Sequence, residues 1–302
     1  MYQVAQVKLN ENILNFKENI EYEDEASLSH EKIRSEVNEI LSKNCMENLA
    51  YLSSVLTTSY ENKTEVKLSM KYEVTKQQYI RGMKKLNDWI KENIKDGMTD
   101  YEKVKLIHDY IANKAEYITS SKEYNVYTWL SILIGKGGVC DAYSNLFYEM
   151  CRKANLEVRI LSNKDHSWNK VKVDGVWYNV DVTWDDPIEN SEFNYIYFLR
   201  SDSFIAKSRK KPSENFEKAY KDYPRSKIKY TNGEGLIENI EDLKKALKEK
   251  SSKQREFKIF YDGVIDGETI FDVIRKTIGD NKVYNVNIVD DKFGKMIYIN
   301  IK

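Results

Sequence analysis

Thiol-based acyl transfer needs a sulfur that can ionise, a base to take its proton, and a third group that holds the base in the working tautomer. The 302-residue sequence offers three cysteines, Cys45, Cys140 and Cys151, and three histidines, His30, His108 and His166. Cys140 follows the run Gly135-Lys136-Gly137-Gly138-Val139 and opens a segment of helical spacing, which places it at a helix N-terminus. Unpaired backbone N–H groups and the helix dipole favour an anion there, so a thiol in that position ionises more readily. Cys151 lies on the same face of that helix, about 16 Å further along its axis, and reads as a core residue. Cys45 sits near Leu41 and Leu49 with no histidine close by in sequence, and it also reads as structural.

A hairpin supplies the base and the orienting carboxylate. Asp174-Gly175 is a two-residue turn signal flanked on both sides by alternating residues. With that turn, Val173 opposes Val176, Trp168 opposes Asp181 and His166 opposes Thr183. His166 and Asp181 then share a face as diagonal neighbours about 7 to 8 Å apart, so a carboxylate there can reach an imidazole N–H. Taken singly, each residue has a plainer explanation: a strand histidine is more often hydrogen-bonded structure, and an aspartate beside Thr183 and Trp184 can mark a strand end. Taken together, a cysteine at a helix start and a His–Asp pair on adjoining strands are harder to obtain by chance. His30, in an acidic segment, reads as solvent-facing, and His108, beside Ile107 and Ile111, as packed or capping.

Competing chemistries are poorly supported. The glycines at 135–138 lack the spacing of a phosphate-binding loop. Three cysteines without CxxC spacing give neither a disulfide framework nor a zinc cluster, and Cys140 with His166 would be too few ligands for a metal. No metal and no cofactor are expected.

The elements that must position these residues follow from periodicity. A helix is expected over Ser29–Ser42, and strands over Leu49–Thr58 and Glu65–Val74. Two capping boxes, Thr75 with Gln78 and Thr99 with Glu102, start two further helices. Next come the cysteine helix to about Ala154, a strand over Leu156–Leu161, the hairpin, and a short strand over Tyr195–Leu199. A Lys-, Ser- and Pro-containing stretch, with its lysines at 207–211 read as a solvated face, continues as linker or surface excursion to about Gly235. The end reads as helix (Leu236–Lys250), strand (Phe257–Tyr261), helix (Thr269–Ile278) and two strands around Asp290-Asp291. The fold class is α+β, with an N-terminal module over 1–75, a catalytic domain over 76–230 and a C-terminal module over 231–302.

Three segments, YEKVKLIHDYIANKAEY, GKGGVCDAYSNLFYEMC and DHSWNKVKVDGVWYNVDVTWDDP, resemble the transglutaminase-like superfamily in residue type and in order. The resemblance spans roughly Lys76–Leu199. It implies a papain-like core, a cysteine helix packed on an antiparallel sheet, with Cys140 as nucleophile, His166 as general base and then acid, and Asp181 as the orienting carboxylate. The backbone N–H of Cys140 would be one oxyanion donor. Among the donor-bearing rings ahead of the cysteine, Tyr124, Tyr127 and Trp129, Tyr127 is the choice for the second. Trp168 and Trp129 are assigned to the substrate groove. The calcium-binding motif of the animal transglutaminases, to which the sequence is distantly similar, is not present.

These features imply a cysteine-dependent hydrolase of peptide or amide bonds, with a protein or cell-wall peptide as substrate. A protein-glutamine amine transferase of the same chemistry and a non-catalytic binding or scaffold module of the same fold are the alternatives. Lys plus Arg equals Asp plus Glu at 48 each, so no bulk field draws the protein to nucleic acid. No apolar run reaches the ~18 residues that span a bilayer. An extracellular or cell-surface location is expected, its signal peptide lying outside this sequence, with the cytoplasm as the alternative.

Overall fold

The structure, a computed structural model, describes residues 2–24, 29–186, 195–207, 212–228, 237–262, 265–279, 284–291 and 294–301. The chain forms two compact units, Met1–Val176 with Lys211–Asn215, and Trp177–Lys210 with Phe216–Lys302. Both mix helix and sheet, and the fold class is α+β.

The first unit opens with helix α1 (Tyr2–Leu14) and strand β1 (Asn19–Asp24), neither of which the sequence pattern announces. Ser29 then caps α2 (His30–Lys43) by accepting the Lys32 N–H. β2 (Ala50–Ser59) and β3 (Thr64–Tyr72) form the expected strand pair, and β3 is central in an antiparallel sheet of order β1-β3-β2. Helices α3 (Lys76–Asn93) and α4 (Asp100–Lys114) start at the two capping boxes. In each, the threonine hydroxyl accepts the N3 backbone N–H while the N3 side chain reaches back to the threonine N–H, satisfying two end donors at once.

A two-residue parallel pair follows, β4 (Glu116–Tyr117) with β5 (Gly137–Gly138), and α5 (Trp129–Leu133) lies between them in sequence. The cysteine helix α6 (Cys140–Lys153) buries Tyr143, Leu146, Phe147, Met150 and Cys151 against α4, α5 and the next strands. β6 (Val158–Ser162) runs antiparallel to β7 (Ser167–Val173). Asp174 and Gly175 both take positive φ, 49° and 80°, as a tight two-residue hairpin turn requires.

The turn delivers the chain into β8 (Val176–Val180), whose second residue, Trp177, opens the second unit. The strand stops at Val180 because Asp181 caps the short helix α7 (Val182–Asp185), its Oδ1 accepting the Trp184 N–H at 3.3 Å. The expected ladder from His166 to Thr183 is therefore corrected: Thr183 lies in a helical turn, where a local side-chain cap has displaced the extended backbone. Tyr195–Leu199 is likewise a run of turns and not a strand. Leu199 sits at φ 54°, which an extended strand cannot accommodate, and pairing resumes only at Arg200, bridged to Asn179.

After α8 (Asp202–Ile205) and a single 3₁₀ turn (Arg225–Lys227) comes the terminal module. It comprises α9 (Ile240–Lys253), β9 (Glu256–Tyr261), α10 (Gly267–Ile278), β10 (Tyr284–Asp291) and β11 (Gly294–Ile301), with sheet order β10-β11-β9. Leu243, Leu247, Ile270 and Ile274 of the helices pack with Ile259, Ile297 and Ile299 of the sheet. A buried ion network joins this module to the turns before it. Arg200 contacts Asp222 at 3.0 Å and Asp262 at 2.9 Å, and Arg225 contacts Asp262 at 2.9 Å and donates to the Phe198 and Tyr195 carbonyls. The lysine-containing residues 208–211 and the end of the expected linker, 229–236, lie outside the described residues. Among the described residues no helix is long and apolar enough to cross a membrane.

Candidate active site

Cys140 is the first residue of α6, half-buried and with a free thiol, whereas Cys45 and Cys151 are buried. The backbone ahead of it holds it in place. A Cβ on Gly137 would stand 1.7 Å from the Glu116 carbonyl oxygen, and one on Gly138 2.5 Å from that of Val126 and 2.6 Å from Ala142 Cβ. The glycine pair is required by close backbone approach. Ile118 N–H donates to the Gly138 carbonyl at 3.2 Å and Val139 N–H to the Val126 carbonyl at 3.0 Å, so the chain is clamped from both sides just before the sulfur.

His166 lies immediately before β7. Its N–H donates to Asn163 Oδ1 at 3.1 Å, and its carbonyl accepts the Asn163 N–H at 2.9 Å, which closes the loop that presents the ring. The imidazole lies nearly parallel to the Trp168 indole, with centroids 6.1 Å apart and planes at 12°. Trp168 is only 1% exposed, so it backs the imidazole and offers little groove surface. The cysteine helix and the histidine segment are joined directly. Ser144, one turn after Cys140, shares a 2.7 Å hydrogen bond with Ser167, the residue next to His166. Asn169 Nδ2 donates to the Ser144 carbonyl at 3.0 Å and to that of Arg159 at 3.2 Å. Sequence periodicity missed Ser144, Ser167, Asn163 and Asn169; the available signal was polar residues on otherwise apolar faces.

Asp181 belongs to the second unit, Cys140 and His166 to the first. Besides capping α7, its backbone N–H donates to the Tyr197 carbonyl at 3.2 Å, and its side chain is buried. Asp185, also buried, accepts the Tyr197 N–H at 2.8 Å.

Two phenols adjoin the residues that clamp the strand ahead of the thiol. Tyr127 is 55% exposed, its backbone carbonyl held by Asn48 Nδ2. Tyr117, equally exposed, was not anticipated. It stands opposite Gly138 in the β4–β5 pair, with its ring 6.4 Å from that of Tyr143. Partial burial raises its pKa, and negative charge on Cys140, Asp141 and Tyr127 pushes it further up, which marks Tyr117 as a neighbour of the cysteine. A two-residue parallel contact between distant segments leaves no local signature by which Tyr117 could have been found. Trp129, by contrast, is fully buried and spends its indole N–H on the Cys45 carbonyl at 3.2 Å. It packs the core and lines no groove, because that carbonyl and the surrounding apolar side chains hold it inside.

His108 is packed as expected, fully buried with Nδ1 3.1 Å from Asp109 Oδ1, and Asp109 also meets Lys105. Exposed His30 meets Thr57 Oγ1 at 3.0 Å. Among the described residues no three His, Cys, Asp or Glu side chains converge as metal ligands would.

The sequence profile of the transglutaminase-like superfamily matches residues 87–182, a span that contains Cys140, His166 and Asp181. This segment belongs to the transglutaminase-like superfamily. Its members include cysteine peptidases and transglutaminases. The kyphoscoliosis peptidases of Homo sapiens and Mus musculus are each 26% identical to this chain in an alignment of 134 residues that covers 37% of the chain. The aligned stretch makes up 20% of either relative. The crystal structure of a TGase superposes with a TM-score of 0.33 at 12% identity, covering 67% of this chain and 61% of its own.

Proposed function

We propose that the chain is a cysteine-dependent hydrolase of peptide or amide bonds. The observation that carries this is a half-buried free thiol at the first position of a helix, clamped by a side-chain-free strand and tied through Ser144 and Ser167 to the histidine segment. Cys140 attacks the carbonyl carbon, His166 takes the thiol proton and passes it to the departing amine, and Asp181 orients the imidazole. Water, deprotonated by His166, then cleaves the thioester. The Cys140 N–H, among the unpaired donors of the first helical turn, faces the developing oxyanion. Tyr127 and Tyr117 are the candidates for the second donor. The name of the human relative, a peptidase, supports water as acceptor and a peptide as substrate.

The test is the rate of iodoacetamide labelling at Cys140, read by peptide mass across pH, in the native chain and in His166→Ala. The expected outcome is labelling at about pH 6 at least tenfold faster than glutathione, lost in His166→Ala. Labelling no faster than glutathione in both proteins overturns the proposal. Release of ammonia or a new amine terminus, as against incorporation of a labelled primary amine, then separates hydrolysis from amine transfer.

A further inference from the structure

The terminal module presents a sheet face that contributes nothing to its core. In the β10-β11-β9 register, Asn287, Tyr298 and Lys258 form one cross-strand row, and Asn285, Asn300 and Glu256 the next but one. Side chains alternate along a strand and opposed residues share a face, so these six stand together. The intervening row, Val286, Ile299 and Phe257, turns to the helices. Tyr298 is 45% exposed, Asn285 and Asn287 are exposed, and the six residues, together with those of the intervening row, line a shallow depression of about 540 Å³. Asparagine is disfavoured in strands. Three on one face, two of them exposed, break a local rule in the way that functional surfaces do.

We propose that this face binds a neutral oligosaccharide. A pyranose pairs an apolar C–H face with hydroxyls that both donate and accept. The depression pairs one exposed phenol ring with three amides that also do both. Its charge complements an uncharged ligand: Lys258 and Glu256 cancel, and Glu256 already accepts from Asn300 Nδ2, so no local field selects a polyanion. Two rows across three strands measure about 7 by 10 Å, a footprint for a short stretch of sugar rings.

The test is calorimetric titration of the full chain with cellotetraose and with chitotetraose, beside dextran sulfate as the anionic control. At least one neutral tetrasaccharide is expected to bind saturably and with little salt dependence. Tyr298→Ala should weaken that binding about tenfold, Asn287→Ala should weaken it too, and Tyr298→Phe should retain most of it. Should Tyr298→Ala lower the melting temperature, the Asn285→Ala, Asn287→Ala pair carries the same test from exposed positions. Three results would overturn the proposal: no heat or saturable shift with either neutral sugar, binding untouched by these substitutions, or binding of dextran sulfate alone. A concentration-dependent dimer abolished by Tyr298→Ala, with no sugar binding, would likewise overturn it and give the face to a second copy of this chain.

Discussion

Gly138 shows how little slack surrounds the start of the cysteine helix. A methyl group there would meet the Val126 carbonyl, Ala142 Cβ and Ser131 Oγ, all within 2.7 Å. Gly138→Ala should therefore cost about 1 to 3 kcal/mol, measured by urea unfolding, and should slow Cys140 labelling by displacing the first turn of α6. Ser144→Ala removes one partner of a buried hydrogen bond and leaves the Ser167 hydroxyl to find another. A loss of about 1 to 3 kcal/mol is expected. That Cys140 opens a helix and that His166 adjoins a tight hairpin were legible in the sequence, because a glycine run, helical spacing and the Asp174-Gly175 turn mark those places. The serines and asparagines that hold them were not, because a polar residue on an apolar face names no partner until the elements are packed.

The cysteine helix also carries a buried acid unrelated to thiol chemistry. Glu149 of α6 lies 3.4 Å from the Arg152 guanidinium and is almost fully buried. Burial pushes its pKa from 4.5 up to about 7, against the pull of a hydrogen bond with Cys45 and the charge of Arg152. The raised value means that the folded state holds this proton more tightly than the unfolded chain does. Its contribution is complete below about pH 4.5 and is lost as pH rises to about 7, a change of about 3 kcal/mol. Glu149→Gln should flatten that decline, so the difference in urea stability between variant and native chain should grow in the variant's favour from pH 5 to pH 8. Thr99→Ala, which removes the cap of α4, should cost about 1 kcal/mol at any pH near neutrality. Both capping boxes were readable because a cap is a four-residue motif. α1 and β1 were not, since α1 has no acidic residue in its first turn and no basic residue in its last, and β1 offers only two apolar residues, Ile20 and Tyr22.

On the scale of the whole chain, the buried arginines of the second unit hold distant segments in register. Asp262 serves both Arg200 and Arg225, and Arg225 is so enclosed that burial, aided by the charge of Arg200, brings its pKa down to about 10. Asp262→Ala would leave two guanidinium groups short of a counter-ion, and a loss of about 3 to 5 kcal/mol is expected by chemical denaturation. No periodicity could announce that network, because its members lie far apart in sequence and each alone resembles a surface charge. The clamp on β5 bears on how this protein could change over time. Cys140 is half-buried, while the glycines before it sit in close backbone contact and offer no side chain for bond making. Replacing the sulfur would silence the proposed chemistry and leave the scaffold standing, whereas filling either glycine would damage both. A duplicated copy released from catalytic duty would thus be free to lose its cysteine while keeping its glycine pair, and the two positions together would tell a working lineage from a retired one.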